Sequence, residues 1–439
     1  MPSTQRIIGC SLIISVLFGC VVGSSSQQIS KTDRNLAQKM LSDVAGDVTK
    51  YYYDPKLHGV DWDAKVRQAR ENINKADSMD SAVSEIAALL DTLNDSHTVL
   101  LLPPRNYVHR YGFNLKMIGD RCYATRVHSG SDAEKRGLRP GDQVLAVNNL
   151  PVTRKTFWKI EYVFQSLRPQ AGLRLTLLDA DGQQRQLDAM AKIEPSSVIK
   201  YRLHQGINQM VQDWTDDYAL LEPQYFEKDD EFLAIRIPAF SLSAEQVDRL
   251  TGKMREHKGV VLDLRGNPGG FIETLDRLVG GMFENGLKIY DRVERDSTKS
   301  ISVDGRHHSA FTGRLVVLVD SGSASASELF ARIIQLEKRG FVVGDRSAGM
   351  VMEAKLYRHE MSLDTDNFYG AEITTSDLIM TDGKHLEHAG VDPDILILPT
   401  AQDLSSHRDP VMAKAAGLVG SKVTPEEAGS MFPEKESGK

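Results

Sequence analysis

The chain has 439 residues, of which 41% are hydrophobic and 26% charged, so its composition is that of a globular protein of roughly three domains and not that of a disordered or collagen-like chain. Its formal net charge of −7 leaves no basic surplus to neutralise phosphates, and we predict no nucleic-acid partner. The three cysteines, Cys10, Cys20 and Cys122, form no cluster with zinc-ligand spacing, and we predict no metal site.

Residues 1–20 have the pattern of an export signal. A single basic residue precedes an apolar run over 7–17, which has the length of a signal segment and is too short for a transmembrane helix. The run leads into Leu-Phe-Gly-Cys, which resembles a bacterial lipoprotein cleavage box with Cys20 as the lipidated N-terminus. The alternative is an ordinary signal peptide cleaved near Gly23 or Ser24. Either way we predict an exported, periplasmic protein of the bacterial cell envelope, and the lipoprotein reading adds an anchor in a membrane, the outer one by preference.

Residues 30–105 are predicted to form an N-terminal helical domain. Apolar residues recur there at helical spacing in two runs, and the second run follows Asp80. The first run contains Leu36, Met40, Val44 and Val48, and the second contains Val83, Ile86, Leu89, Leu90 and Leu93.

Short strands with one helix are predicted over residues 110–195. The predicted strands are Phe113–Met117, Tyr123–Val127, Gln143–Val147 and Leu173–Leu178, and the helix is Thr156–Leu167. The block is therefore a small, β-rich domain.

Strands and helices alternate over residues 231–400, which is typical of an α/β layer. Apolar strands are predicted at Phe232–Ile237, Val260–Leu264 and Leu315–Val319, and Ser243 with Gln246 forms a helix capping box. The less regular segment 196–230 is predicted to be a cap or linker, and 401–439 a C-terminal helix with a polar tail.

A run of small residues, Asp-Ser-Gly-Ser-Ala-Ser-Ala-Ser-Glu over 320–328, lies between a buried strand and an apolar helix. Small residues at a helix N-terminus let backbone amides approach a ligand, and the helix dipole favours a developing oxyanion. The alternative reading is a serine-rich helix cap.

A second motif, Asp-Leu-Arg-Gly-Asn-Pro-Gly-Gly over 263–270, directly follows a buried strand. Ligand sites in α/β sheets lie at such carboxyl ends of strands, and paired glycines permit an amide to point at a substrate. The alternative is a tight strand-to-helix connection. The motif lacks the lysine of a phosphate-binding loop.

Two shorter stretches are weak indications of function when each is taken by itself. Asp-Ser-His-Thr over 95–98 is by default a capping or surface sequence, and the stretch 383–394 is by default a turn before a strand.

In combination, these motifs resemble the serine peptidase family that includes the carboxy-terminal-processing (tail-specific) proteases, the tricorn protease core and the interphotoreceptor retinoid-binding modules. The resemblance covers roughly residues 30–400 and implies a multidomain α/β fold, in which an N-terminal helical segment and a PDZ-like β-rich domain precede an α/β peptidase domain with a mixed sheet and flanking helices. It also implies that Ser325, the middle serine of its run, is the nucleophile.

The block over 110–195 resembles the PDZ domain of that family, through Gly-Leu-Arg-Pro-Gly-Asp-Gln-Val over 137–144 and Ala-Val-Asn over 146–148. Five residues are similar to the loop whose amides hold a peptide carboxylate: Tyr111, Gly112, Phe113, Asn114 and Leu115. Polypeptide C-terminal tails are the partners this implies. The alternative is a PDZ domain that only packs against the peptidase.

The sequence departs from the family pattern at one position that matters for the mechanism. Met350 occupies the position of the general-base lysine of the tail-specific proteases. Either the protein is a catalytically inactive scaffold or ligand-binding relative, or another base serves. The tricorn-like branch pairs Ser and His near the N-terminus with a later Glu, and Ser96, His97 and Glu387 match them. We favour this tetrad, with His97 as the base and Glu387 acting through Ser96.

The resemblance further implies an oxyanion hole made by the amides of Gly270 (or Gly269) and Ala326. The predicted chemistry is acyl transfer to water without metal or cofactor. The predicted function is that of an exported serine endopeptidase that hydrolyses peptide bonds of polypeptides.

Overall fold

The computed structural model describes residues 29–103, 105–179, 182–195, 222–228, 231–361 and 368–432. The chain divides into two compact units. Among the described residues, the first unit contains those up to 103 together with 294–297, 353–361 and 368–376, and the second unit contains the others. The predicted export signal, with Cys10 and Cys20, and most of the predicted cap over 196–230 lie outside the described residues.

The first unit begins with the predicted helices. They are α1 (Lys31–Tyr51), α2 (Trp62–Lys75) and α3 (Met79–Asp91). Ser30 and Ser78 cap the first and third helices by accepting an amide hydrogen with the side-chain oxygen, and the predicted apolar residues Met40 and Val44 are buried. A short strand, β1 (Val99–Leu101), then pairs antiparallel with residues 370–372.

The PDZ-like block is built from antiparallel strands. Its elements are β2 (Tyr107–Arg110), β3 (Phe113–Ile118), β4 (Arg121–Val127), α4 (Asp132–Lys135), β5 (Gln143–Val147), β6 (Leu150–Pro151), α5 (Phe157–Glu161), β7 (Gly172–Leu178), β8 (Gln184–Met190) and β9 (Lys192–Pro195). The sheet order is β3-β4-β5-β7-β8, with β3 at one end. The predicted helix over 156–167 is α5 followed by a π-helical turn over Tyr162–Leu167. Cys122 is buried in β4, where burial raises the pKa of its thiol.

The peptidase block alternates strands and helices as predicted. Its elements are β10 (Gln224–Lys228), β11 (Phe232–Arg236), α6 (Ala244–Met254), β12 (Gly259–Asp263), α7 (Ile272–Gly280), β13 (Leu287–Glu294), β14 (Thr298–Val303), β15 (Arg314–Val319), α8 (Ala326–Leu336), β16 (Phe341–Gly344), β17 (Met352–Glu360), β18 (Phe368–Met380) and β19 (Ile395–Leu396). The capping box of Ser243 and Gln246 is present at the start of α6.

One mixed sheet carries the peptidase motifs, in the order β10-β11-β12-β15-β16-β19. In this sheet β11, β12, β15, β16 and β19 pair in parallel, and β10 pairs antiparallel with β11. The segment 224–228, assigned from sequence to the cap or linker, is therefore an edge strand of this sheet, because its backbone pairs with β11. The strands are apolar on both faces, since both faces are covered.

The C-terminal segment forms three short helices, where a single helix and a polar tail were predicted. They are α9 (Ala401–Ser405), α10 (Pro410–Leu418) and α11 (Pro425–Gly429). Buried residues of α10, such as Val411 and Met412, share an apolar cluster with Val261 and Val316 of the sheet. Across the ranges that the structure describes, we find no helix with the length and apolar character needed to cross a membrane.

Candidate active site

Ser325 lies in a strained turn between β15 and α8. Its backbone angles are φ 55° and ψ −119°, in the positive-φ region that residues other than glycine rarely adopt. Such a conformation costs about 1–3 kcal/mol and persists only where surrounding contacts impose it. One of these contacts is a hydrogen bond from the Ser325 amide to the Met350 carbonyl at 2.8 Å. The turn therefore holds this serine in a conformation that an ordinary helix cap does not require.

The neighbouring serines have structural roles other than capping the helix, whose N-cap is Ser325 itself. Their hydroxyls donate to backbone carbonyls: Ser321 to Met117 at 2.6 Å, Ser323 to Leu264 at 2.7 Å and Ser327 to Asn267 at 2.9 Å. Within the described residues, no carbonyl accepts from the hydroxyl of Ser325. The run thus contains three anchored serines and one that is half-buried and available for chemistry.

The glycine turn after β12 lies against Ser325. A Cβ atom placed on Gly269 would lie 2.7 Å from the Ser325 Cβ and 2.9 Å from the amide nitrogen of Ala326. A Cβ on Gly270 would lie 2.4 Å from the Phe240 carbonyl oxygen. Both glycines have positive φ, +98° and +146°. Only glycine fits either position, so the close approach of the two loops depends on this pair.

Two amides beside Ser325 are available for an oxyanion. The Gly269 amide donates to Asn267 Oδ1 at 2.9 Å and is engaged. The Gly269 carbonyl and the Phe271 amide both bond to Phe240, so the intervening Gly270 amide faces the other way. Among the residues described, the Gly270 and Ala326 amides have no acceptor. Of the two glycines proposed as alternatives, the geometry favours Gly270.

Glu328 stabilises the turn that contains Ser325 through hydrogen bonds, a role that was not predicted. Its buried carboxylate accepts four hydrogen bonds, two on each oxygen. The donors are the Ser347 hydroxyl at 2.5 Å and the Gly349 amide at 2.8 Å on Oε1, and the Met350 amide at 2.9 Å and the Ser325 amide at 3.1 Å on Oε2. Burial raises the pKa of Glu328 to about 7, although these donors favour the carboxylate. The sequence signal that could have indicated this role is a glutamate at the third residue of an apolar helix.

The Asp-Leu-Arg motif forms a buried ion-pair network behind the glycine turn. Asp263 is fully buried, and both of its oxygens accept from Arg265 while Arg236 also donates to Oδ2. Arg265 makes two further bonds to Asp409, the N-cap of α10, at 3.0 and 2.7 Å. Burial by itself raises the pKa of Asp263, but the two guanidinium groups hold it well below its usual range. The network fixes the start of the turn that contains Gly270.

The predicted base belongs to the first unit. His97 is 3% exposed, and its Nδ1 lies 2.8 Å from the Ser96 hydroxyl. The Asp95 carboxylate accepts the His97 amide and the Thr374 hydroxyl, both at 2.8 Å, and so fixes the loop. Burial lowers the pKa of His97 to about 4, although Asp95 opposes the shift. Among the described residues, His97 Nε2 has no hydrogen-bond partner, so the ring is a neutral imidazole with one nitrogen uncommitted.

Glu387 belongs to the second unit, as do Ser325 and the predicted oxyanion amides. Its Oε2 accepts the amide of Val351 at 2.8 Å, next to the Met350 carbonyl that holds Ser325. The tetrad thus combines residues of both units and stays a prediction.

The predicted carboxylate-binding loop precedes the end strand of the PDZ sheet. The Tyr111 hydroxyl donates to the Phe164 carbonyl at 3.0 Å and accepts the Gln170 amide at 2.9 Å, so its buried ring anchors the loop. Gly112 has φ +77°, and Phe113 begins β3. Asn114 and Leu115 flank an irregularity in its pairing with β4. Peptide binding by these five residues stays a prediction.

A mostly parallel sheet, a strained serine on a strand-to-helix turn and two adjacent amides without a described acceptor form the arrangement expected of a serine hydrolase, here attached to a PDZ-like domain. Comparison with known proteins gives the family. The model of peptidase family S41 matches residues 231–397, and that of the PDZ domain matches residues 100–165. Residues 231–397 therefore match an S41 serine peptidase domain and residues 100–165 a PDZ domain, as the motifs predicted.

Relatives support this placement. The chloroplastic carboxyl-terminal-processing peptidase 3 of Arabidopsis thaliana is 23% identical over 79% of this chain and 69% of its own. The tail-specific protease of Haemophilus influenzae is 25% identical over 69% of this chain and 43% of its own. The structure of mature CPAF aligns with a TM-score of 0.62 at 14% identity, over 85% of this chain and 95% of that one, and shows a shared fold.

Proposed function

We propose that the protein is an exported serine endopeptidase in which Ser325, His97, Ser96 and Glu387 form the catalytic tetrad. The observation that carries the proposal is the strained Ser325 turn, with the free amides of Gly270 and Ala326 beside it. Ser325 is also the N-cap of α8, but N-cap residues ordinarily have β-region angles, so capping does not account for its positive φ. Strain at one serine among several is expected when a hydroxyl must be presented to a substrate.

In the proposed reaction, His97 Nε2 takes the proton of the Ser325 hydroxyl as its oxygen attacks the scissile carbonyl carbon. The Gly270 and Ala326 amides stabilise the resulting oxyanion. The carbon–nitrogen bond then breaks, and His97 returns the proton to the leaving amine. Water, activated by the same imidazole, hydrolyses the acyl-enzyme. Glu387 stabilises the imidazolium through Ser96, in the role of the third member of a triad.

A fluorophosphonate probe separates this proposal from its rival, a non-catalytic scaffold on the same fold. We expect the wild-type protein to be labelled and Ser325→Ala to remain unlabelled. Casein hydrolysis should fall by about 10⁶-fold in Ser325→Ala and strongly in His97→Ala. Substitution of His308, in an exposed turn, is the matched control and should leave hydrolysis unchanged. A folded wild-type protein that is neither labelled nor active supports the scaffold.

Met350 provides a separate test of the base. Its backbone supports the Ser325 turn through the amide and the carbonyl, and both groups are retained in Met350→Lys. If His97 is the base, the new lysine supplies nothing that the reaction lacks, and we expect no gain in casein hydrolysis. A large gain would show that the His97 assignment is wrong.

We also propose that the PDZ domain engages C-terminal tails of polypeptides. The end position of β3 in its sheet and the preceding Gly112 loop fit strand addition with capture of a carboxylate. Two peptides of identical sequence, one ending in a carboxylate and one in an amide, test this by fluorescence anisotropy with Ser325→Ala protein. We expect the amide to bind at least about tenfold more weakly. Equal affinity would favour a PDZ domain that only packs against the peptidase.

Export and lipid anchoring through Cys20 are proposed from the signal sequence. Labelling with radioactive palmitate in a bacterial host tests the anchor, and Cys10→Ser is the matched control because Cys10 would be removed with the signal. We expect label in wild type and Cys10→Ser but none in Cys20→Ser. Label in none of the three, with the protein in the periplasmic fraction, would indicate an ordinary signal peptide.

A further inference from the structure

Lys116 of the PDZ domain contacts Asp320, at the start of the turn that leads to Ser325. Its Nζ lies 2.6 Å from Oδ2 of Asp320, and the two side chains are 35% and 10% exposed. Asp320 directly follows β15 and precedes the nucleophile by five residues. The adjacent residue of β3 makes a second contact, because the Met117 carbonyl accepts the Ser321 hydroxyl at 2.6 Å. One strand of the PDZ domain thus holds the segment that leads to Ser325.

The other oxygen of Asp320 joins the two loops of the site. Oδ1 accepts the Gly266 amide at 2.8 Å and the Gly322 amide at 2.9 Å. Gly266 lies in the turn that leads to Gly270, and Gly322 lies in the turn that leads to Ala326. A Cβ on Gly322 would lie 3.0 Å from the Gly266 Cα, so the loops are in contact there. A single carboxylate therefore sets the spacing of the segments that carry the two oxyanion donors.

Asp320 interacts electrostatically with two charged groups, Lys116 and Asp345. Asp345 follows β16 and is itself paired with Arg154 at 2.5 Å. Burial by itself raises the pKa of Asp320, but Lys116 and the two glycine amides outweigh burial and bring the pKa below its usual value. Without Lys116 the burial and Asp345 remain, so the pKa of Asp320 would rise.

We propose that Lys116 is a positioning residue for the hydrolysis proposed above, because it holds the Asp320 carboxylate that sets the relative position of the Gly270 and Ala326 amides. This inference rests on the proposed function and deepens it. It assigns to the PDZ domain a side chain that the active-site framework requires, independent of any bound tail.

Kinetics of charge-removing and charge-keeping variants test the role. We expect Lys116→Met to lower kcat on a fluorogenic peptide by about 10- to 100-fold with KM changed by less than about threefold, because misplaced oxyanion donors weaken the transition state more than the bound substrate. Lys116→Arg keeps the charge and should recover most of the activity. Lys135→Met, at an exposed lysine of the same domain, is the matched control and should behave as wild type.

The pH profile distinguishes positioning from a merely structural role. In Lys116→Met the loss of kcat should be greatest at acid pH and smaller as the pH rises. The reason is that the pKa of Asp320 is higher without Lys116, so its carboxylate forms only at higher pH. Adding Asp320→Asn removes that titration and should abolish the extra pH dependence. A lowered melting temperature with kcat and pH profile as in wild type would overturn the proposal.

Hydrogen exchange supplies a readout that needs no activity. In the Ser325→Ala background, Lys116→Met should speed exchange of the Gly266 and Gly322 amides by at least about tenfold, since their shared acceptor is loosened. Unchanged exchange would overturn the inference. A wild-type protein without fluorophosphonate labelling but with accelerated exchange in Lys116→Met would instead reject the proposed function and retain the positioning role.

Discussion

Ser325 differs from the serines around it in its backbone conformation, although the residue type is the same. The hydroxyls of Ser323 and Ser327 donate to carbonyls of the neighbouring loop, whereas Ser325, which lies between them, has the strained φ. The strain is retained because buried bonds to Glu328 and Met350 hold the Ser325 amide. The strained backbone of Ser325 thus depends on these contacts and not on residue type alone.

Substitution of Gly269 by alanine should strongly reduce hydrolysis while the fold is kept. The new methyl group would lie within 3 Å of both Ser325 and Ala326, so the glycine turn must move away from the nucleophile. Gly137→Ala is the matched control, since Gly137 also has φ above +90° but has no atom near its Cβ position. We expect at least about a 100-fold loss in kcat/KM for Gly269→Ala only. Equal losses in both variants would point to backbone strain instead.

The acid limb of activity should come from Glu328 and not from His97. The pKa of His97 is lowered to about 4, so its imidazole stays neutral and able to accept a proton above about pH 5. The pKa of Glu328 is raised to about 7, and its protonated form cannot accept four hydrogen bonds. We therefore expect kcat/KM to fall as the pH drops from 8 to 6, and the residual activity of Glu328→Gln to lack this limb. A limb that persists in the variant contradicts the assignment.

At the scale of elements, the parallel pairing of β12 with β15 brings together motifs that are far apart in the chain. Asp263 pairs in register with Leu318, so the glycine turn and the serine run leave the same edge of the sheet. Asn267 then links them, because its carbonyl accepts the Ala324 amide and its side chain binds Gly269. The active-site loops are therefore positioned by strand order and by one buried amide.

Removal of Arg265 should destabilise the protein by about 3 kcal/mol at pH 7, because it leaves the buried Asp263 with Arg236 alone. The pKa of Asp263 is depressed, so its ionisation stabilises the fold above the unfolded pKa, and this contribution declines as the pH falls toward the folded pKa. The penalty should thus shrink below about pH 4. Guanidinium unfolding of Arg265→Met against the exposed control Arg249→Met measures it. A penalty independent of pH would contradict this account.

At the scale of the whole molecule, the two units do not follow the order of the chain. Residues 353–376 of the peptidase block belong to the first unit, where Thr374 binds the Asp95 carboxylate beside His97. The PDZ and peptidase blocks form the second unit together, joined by ion pairs such as Arg154–Asp345. The proposed tetrad therefore requires the first unit to supply the base and the second to supply the nucleophile.

Non-additive losses would be the signature of a tetrad drawn from both units. We expect Ser325→Ala, His97→Ala and the double variant to retain the same residual activity, since residues that act as one unit cannot lose the same step twice. Peptide hydrolysis by the three proteins, with melting temperatures to confirm folding, is the measurement. A double variant that is much slower than either single variant would mean that His97 acts independently of Ser325.

The sequence by itself determined the family, the α/β class and most element positions. Apolar periodicity and turn residues are local signals, and they predicted Gln143–Val147 with the bounds that the structure has and the capping box of Ser243. The motifs named Ser325 as the nucleophile because their order along the chain is specific in combination. The edge strand over 224–228 was missed because its partner, and not its own pattern, makes it a strand.

Only the tertiary structure decided which groups around the nucleophile are free and which are engaged. The bond from Gly269 to Asn267 leaves the Gly270 amide as the one that can serve the proposed oxyanion hole, and four hydrogen-bond donors give Glu328 a role that was not predicted. The contact of Lys116 with Asp320 joins residues 204 positions apart. Hydrogen bonding and burial depend on which atoms meet in space, and a linear pattern contains this information only where the partners are neighbours in the chain.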